Sequence, residues 1–159
     1  MKKNIVAVCF VIICILFIQR SDLYAFNDVV PNDETGIPDK VLYQEILESL
    51  DKTENETFTK QEASSLQRLI VHTGVQSYQG IGLLSGLRGL EVDRAKLNNS
   101  QLEVIAAELS QLKYLTACHN KLTSLQAFGN MKNLSSLDIS FNSLENLEGI
   151  EQLTSLETL

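Results

Sequence analysis

The chain has 159 residues, enough for one domain, and a formal net charge of −7. An acidic balance of this size argues against nucleic acid as a partner, because phosphate binding needs a basic face. Cysteine pairing is equally poor ground: Cys9 and Cys14 lie in an apolar N-terminal run, leaving Cys118 alone in the rest of the chain.

Residues 1–25 have the layout of a secretory signal peptide. Lys2 and Lys3 precede an uncharged apolar run over 5–18, and Leu23, Tyr24 and Ala25 offer a small residue at a cleavage point. A membrane anchor needs about 20 apolar residues, and this run is shorter. Its removal takes away Lys2, Lys3, Arg20 and Asp22, leaving ten bases against nineteen acids, a charge of −9. No membrane association is expected after cleavage, and an exported chain that avoids cysteine pairs suits a bacterial source.

Residues 26–36, FNDVVPNDETG, are polar and turn-rich and read as a flexible leader. A helical cap is expected over 37–65. Pro38 suits the first turn of one helix, and Val41, Leu42, Ile46 and Leu50 give it an apolar stripe. Thr59 and Glu62 form a capping box for a second helix. Between them, residues 51–62 have the twelve-residue length of an EF-hand calcium loop, with Asp51 at position 1, Asn55 at 5, Phe58 at 8 and Glu62 at 12. The loop departs from that pattern at Thr53, where a carboxylate is usual, and at Glu56, where glycine makes the sharp turn. Too few ligands remain for strong binding, so no cofactor or metal is expected, with a weak calcium-binding cap as the alternative.

From residue 66 onward the leucines recur. Leu66, Leu69, Val71 and Val75 make a first, irregular copy. A 25-residue copy opens at Leu87 and carries Ala95 where later copies have asparagine. In it Ser100 and Glu103 suggest a capping box, and Leu102, Ile105, Ala106 and Leu109 follow helical spacing. Over 112–159 the period is 22 residues: Leu112, Leu115, Ala117, Asn120, Leu122 and Leu125 recur as Leu134, Leu137, Ile139, Asn142, Leu144 and Leu147. Phe128 and Met131 recur in the same way as Ile150 and Leu153, and a third register opens at Leu156 and Leu159. Residues 78–90 also align without a gap on 147–159, matching Gly80 to Gly149 and Ile81 to Ile150.

Alternation in LxL is what a strand with one buried face requires. Asn120 and Asn142 follow where the chain must turn, and their side chains can satisfy backbone groups whose loss costs roughly 1–3 kcal/mol each. No copy can bury its leucines alone. Stacking is therefore obligatory, and a period between 20 and 29 residues is that of leucine-rich repeats, whose parallel strands line one concave surface.

Positions flanking the buried leucines face outward from that surface. They include Gly89, Glu91, Asp93, Tyr114, Thr116, Cys118, Ser136, Asp138 and Ser140. Tyr114 supplies apolar area at low entropic cost, and the acids around it favour a basic partner, so these residues form a candidate protein-binding face. Adjacent Cys118 and His119 do not make a catalytic pair, since strand neighbours point to opposite sides and no third group orients the histidine. His72 reads as an ordinary side chain near the first repeat. Phosphate loops, zinc spacings and nucleophile elbows are absent from the sequence, so an enzyme is not expected.

Signal peptide, small helical cap and 22-residue repeats together resemble the internalin-like leucine-rich repeat proteins of Gram-positive bacteria, over residues 37–159. The resemblance implies an α/β solenoid: a leucine-rich repeat right-handed superhelix with a parallel concave sheet and an N-terminal α-helical cap. It also implies a secreted or cell-surface protein that binds a protein partner through the sheet. The chain departs from the family in showing no sorting motif or wall-binding module. Repeats over 66–159 with the last one incomplete raise two further expectations: a non-binding structural fragment of a longer repeat protein, or self-association through an uncapped C-terminal repeat.

Overall fold

A computed structural model describes residues 28–159; the signal peptide expected over 1–25 lies outside them. Two antiparallel strands, β1 (Val29–Val30) and β2 (Phe58–Thr59), frame the cap, with helix α1 (Lys40–Ser49) between them and α2 (Lys60–Ser65) after them. Strands β3 (Arg68–Ile70), β4 (Gly89–Glu91), β5 (Tyr114–Thr116) and β6 (Ser136–Asp138) follow. Among the described residues they form one parallel sheet in chain order, Thr158 adding a bridge to Ser136 at its far edge. Helix α3 (Asn99–Glu108) and three 3-10 turns, Ile81–Leu83, Gln126–Asn130 and Ile150–Gln152, return the chain along the convex side. This is the solenoid that the spacing predicts. Among the described residues no helix is long and apolar enough to cross a membrane.

Register follows the period. Leu69, Leu90, Leu115 and Leu137 lie side by side at the centres of the four strands, each at most 2 % exposed. Burial of a leucine is worth about 1.5–3 kcal/mol, and here it is the neighbouring turn of chain that provides it. The alignment of 78–90 on 147–159 has a conformational basis. Gly80 and Gly149 both take the left-handed backbone, φ +80° and +103°, immediately before a 3-10 turn. A Cβ on Gly80 would fall 2.1 Å from the carbonyl oxygen of Gly36, so no other residue fits.

Three expectations are corrected. The leader predicted over 26–36 is, from Asp28 on, part of the fold. Val30 is fully buried, pairs with Phe58, and its carbonyl accepts from the Tyr43 hydroxyl at 2.9 Å. Helix α1 starts two residues after Pro38, at Lys40: Asp39 is its N-cap, accepting from the amides of Val41 and Leu42. On the convex side the capping box of α3 is Asn98 with Gln101 rather than Ser100 with Glu103, because Asn98 is the last residue with extended backbone. The second helix does carry the box of Thr59 and Glu62, and Leu102, Ile105, Ala106 and Leu109 of the convex helix are all buried.

Asp39 also joins the cap to the repeats. Its second oxygen accepts from the amides of Gln76 and Ser77 at 2.7 and 3.0 Å. Burial acts to raise its pKa, and four backbone amides outweigh that, holding the carboxyl below its ordinary range.

Candidate functional site

The concave sheet is built from rows of side chains, one residue per strand. Outside the buried leucine row stand Arg68, Gly89, Tyr114 and Ser136 on one flank and Ile70, Glu91, Thr116 and Asp138 on the other. Backbone hydrogen bonds continue past the strand ends, from Val92 to Thr116 and from Ala117 to Asp138. A further outward row of His72, Asp93, Cys118 and Ser140 results.

The rows differ in what they offer. Tyr114 is 55 % exposed and Ile70 41 %, the two large apolar groups the strands present to water. Around Tyr114, the residues Arg68, Arg88, Gly89, Thr116 and Ser136 line a shallow hollow of about 500 Å³. Arg68 Nη2 reaches Glu91 Oε2 at 2.9 Å across two strands, an exposed pair that orders the row more than it stabilises it. At the strand ends the acids are fixed by local bonds. Asp93 Oδ1 accepts from the Cys118 amide at 2.7 Å. Asp138 Oδ1 accepts from the Ser140 hydroxyl at 2.7 Å and its amide at 3.0 Å, which holds the Asp138 carboxyl below its ordinary range. Both acids are thus oriented by local hydrogen bonds.

Cys118 is a correction to the outward set. It is 9 % exposed, its Sγ 3.3 Å from Ser140 Oγ, and burial pushes its thiol pKa up. A covered, protonated thiol offers a partner little. Thr116 is half-buried and its Oγ1 has no hydrogen-bond partner among the described residues. Glu91, Asp93, Tyr114, Ser136, Asp138 and Ser140 remain accessible to different degrees on one continuous surface.

Asn120 and Asn142 lie behind this surface. Asn120 Nδ2 donates to Val92 O at 2.7 Å and Cys118 O at 3.2 Å, while its Oδ1 accepts from the Leu97 amide at 2.9 Å. Asn142 repeats the arrangement one turn later, with Ala117 O, Ile139 O and the Leu122 amide. Each asparagine therefore ties its own turn to the preceding one.

Several residues escaped the sequence reading. Ile70 and Arg68 belong to the concave rows; aligning Leu69 and Val71 with Leu90 and Val92 would have found them. His72, read as ordinary, is paired through Nδ1 with Glu45 Oε2 at 2.9 Å, linking the first repeat to α1. Beyond the sheet, Arg94, His119 and Phe141 occupy equivalent left-handed positions, φ +54° to +57°. The rings of His119 and Phe141 stack at 4.2 Å, 5° from parallel, and Phe141 is 74 % exposed. With His72, Asp93 and Cys118 these residues border a second hollow of about 610 Å³. Cys118 and His119 thus border the same hollow, where alternation along a strand predicts opposite sides.

Residues 110–152 match the family described as Leucine Rich repeats (2 copies). A solved internalin, inlF of Listeria monocytogenes, superposes with a TM-score of 0.68 at 25 % identity, covering 80 % of this chain and 37 % of that one. This chain therefore spans 37 % of the length of that internalin. Listeria monocytogenes internalin C2 and the functional domain of InlJ are also similar, at 16 % and 17 % identity and TM-scores of 0.36 and 0.37. The former covers 83 % of this chain and 87 % of its own, the latter 75 % and 40 %. No curated protein matches the chain. The fold is a leucine-rich repeat solenoid of the internalin kind.

Proposed function

We propose that this is an exported binding module, capped over 37–65 and repeating over 66–159, that presents its concave sheet to a protein partner at or outside a bacterial cell surface. The observation that carries the reading is the set of rows on that sheet. An exposed tyrosine and isoleucine share a rigid parallel sheet with Asp93 and Asp138, which backbone amides hold in place toward the strand ends. Likeness to a solved internalin over most of the described residues supports it. Anchoring apolar groups with fixed acids toward the strand ends suit a partner segment that carries an apolar residue and, further along, lysine or arginine. Nothing in the rows resembles catalytic machinery, since the thiol is covered and the nearby histidine is stacked on a phenylalanine.

The test is capture by the immobilised full chain of purified surface and matrix proteins, compared between variants. Tyr114→Ala with Asp138→Ala is expected to lose capture at least tenfold while the melting midpoint stays close to wild type. Glu103→Ala, exposed on the convex helix, is expected to retain it. Equal capture by all three proteins would remove the concave sheet as the binding face.

A further inference from the structure

The loop that joins α1 to α2 holds a cation of its own. In a twelve-residue calcium loop, position 7 gives a backbone carbonyl to the ion and position 12 a carboxylate, while an apolar residue at position 8 is paired in a short ribbon. Counting from Asp51, position 7 is Thr57, position 8 is Phe58 and position 12 is Glu62. Phe58 is fully buried and pairs with Val30 in the two-stranded ribbon. The two ligand groups converge on a single ammonium. Lys52 Nζ donates to Thr57 O at 3.0 Å and lies 2.8 Å from Glu62 Oε1. Its side chain is only 20 % exposed, which draws the bond partly out of water.

A second carboxylate inside the loop is also engaged. Glu56, at the glycine position, closes the turn: its Oε2 accepts from the Thr53 amide at 2.8 Å and the Thr53 hydroxyl at 2.7 Å. That takes up the position-3 side chain. Glu62 Oε2 accepts from the Thr59 amide and hydroxyl, the capping box of α2, so this carboxylate fixes the helix start and the cation together.

From this convergence we infer that the Lys52 ammonium stands in the place of a calcium ion: the loop keeps the frame of a metal site and closes it with a charge carried on the chain. The cap would then cover the first repeat irrespective of external calcium. Removing the ammonium would leave a carbonyl and a carboxylate already arranged for a divalent ion.

Calcium and terbium are the probes, terbium because the Tyr43 ring, tilted against that of Phe58 with centroids 4.8 Å apart, can sensitise its emission. For the full chain the melting midpoint is expected to be the same in millimolar calcium and in chelator, with no saturable terbium emission. Lys52→Met is expected to melt several degrees lower in chelator, to recover part of that loss in calcium by mass action, and to show terbium emission that calcium competes away. Lys52→Arg keeps a cation and is expected to stay near the wild-type midpoint and blind to either ion. A calcium-dependent midpoint in the unaltered chain would overturn the inference. So would a Lys52→Met protein that folds but takes up neither ion, since Lys52 would then be an ordinary ion-pair partner. If Lys52→Met does not fold, the Arg variant decides: an ion-blind, stable protein supports the inference and an unfolded one overturns it.

Discussion

Two successive turns of the solenoid, 112–133 and 134–155, share one apolar spacing and differ in what they bury. Leu122, Leu125 and Phe128 are fully buried in the first. Their counterparts are Leu144 and Ile150, both half-buried, and Leu147, 57 % exposed. Leucine stands in both turns at two of these three positions, 122/144 and 125/147, so residue type there is not the cause. Turn 112–133 is packed on both sides, against α3 and against Ile150–Gln152. Turn 134–155 has turn 112–133 on one side and, among the described residues, only 156–159 on the other, where Thr158 bridges Ser136. The stabilisation of a repeat leucine is therefore a property of the interface between copies, as nearest-neighbour behaviour in solenoids requires.

Leucine truncation tests that claim with the largest effect. Leu125→Ala opens a cavity in a fully packed site and is expected to cost about 2–5 kcal/mol. Leu147→Ala removes the same atoms from a position already in contact with water, and is expected to cost under about 1 kcal/mol. Urea denaturation of the two variants measures both. Similar costs would mean that each copy is stabilised from within, and the comparison would collapse.

The asparagines sharpen the same contrast by hydrogen bonds instead of apolar area. Asn120→Ala strands Val92 O and the Leu97 amide in the interior, at roughly 1–3 kcal/mol for each group left unpaired. Asn142→Ala releases the Leu122 amide and two carbonyls where the side chain is only half-buried, so water can replace part of what is lost. Denaturant midpoints are expected to fall more for Asn120→Ala. The reverse order would show that the asparagine matters to its own turn more than to the one behind it.

These contrasts also mark what the sequence could reveal. Period and alternation were enough to align Leu90, Leu115 and Leu137 on adjacent strands, because a residue that recurs once per copy, after 25 and then 22 positions, must recur in space once the copies stack. Gly80 and Gly149 were legible for a related reason: the alignment matched two glycines, and both hold a left-handed backbone before a 3-10 turn. Contacts between unlike elements were not legible. Val30 pairs with Phe58 across the unrelated chain of residues 31–57, so no local pattern announces β1. Cys118 was assigned outward by alternation, which says where a side chain leaves the strand and not that Ser140 and the backbone of Asp138 will cover it. Lys52 went unnoticed because a calcium-loop pattern counts carboxylates and gives no weight to a lysine at position 2. The candidate face was thus readable in its rows, and its chemistry only where neighbouring copies are alike.

The covered end of the array allows the finest test, because there a cap takes the role that a neighbouring copy plays elsewhere. His72 Nδ1 pairs with Glu45 on α1, and the hydrogen bond to Glu45 raises the histidine pKa above its ordinary value, with Glu48 and Glu91 adding smaller contributions of the same sign. A folded pKa above the unfolded value of about 6.5 gives stability that is fully present below that pH and lost as pH rises through the folded value. The ring is 71 % exposed, so solvent screens the pair and the effect is expected to be a fraction of a kcal/mol. It is also incomplete, since the His72 amide donates to Glu45 Oε1 at 3.2 Å whatever the charge on the ring. Melting midpoints of wild type and His72→Gln are therefore expected to differ in mildly acidic solution and to converge in mildly alkaline solution. A difference that grows with pH would mean that the charged ring is not what joins the cap to the first repeat, leaving Asp39 and its four amides to hold that end.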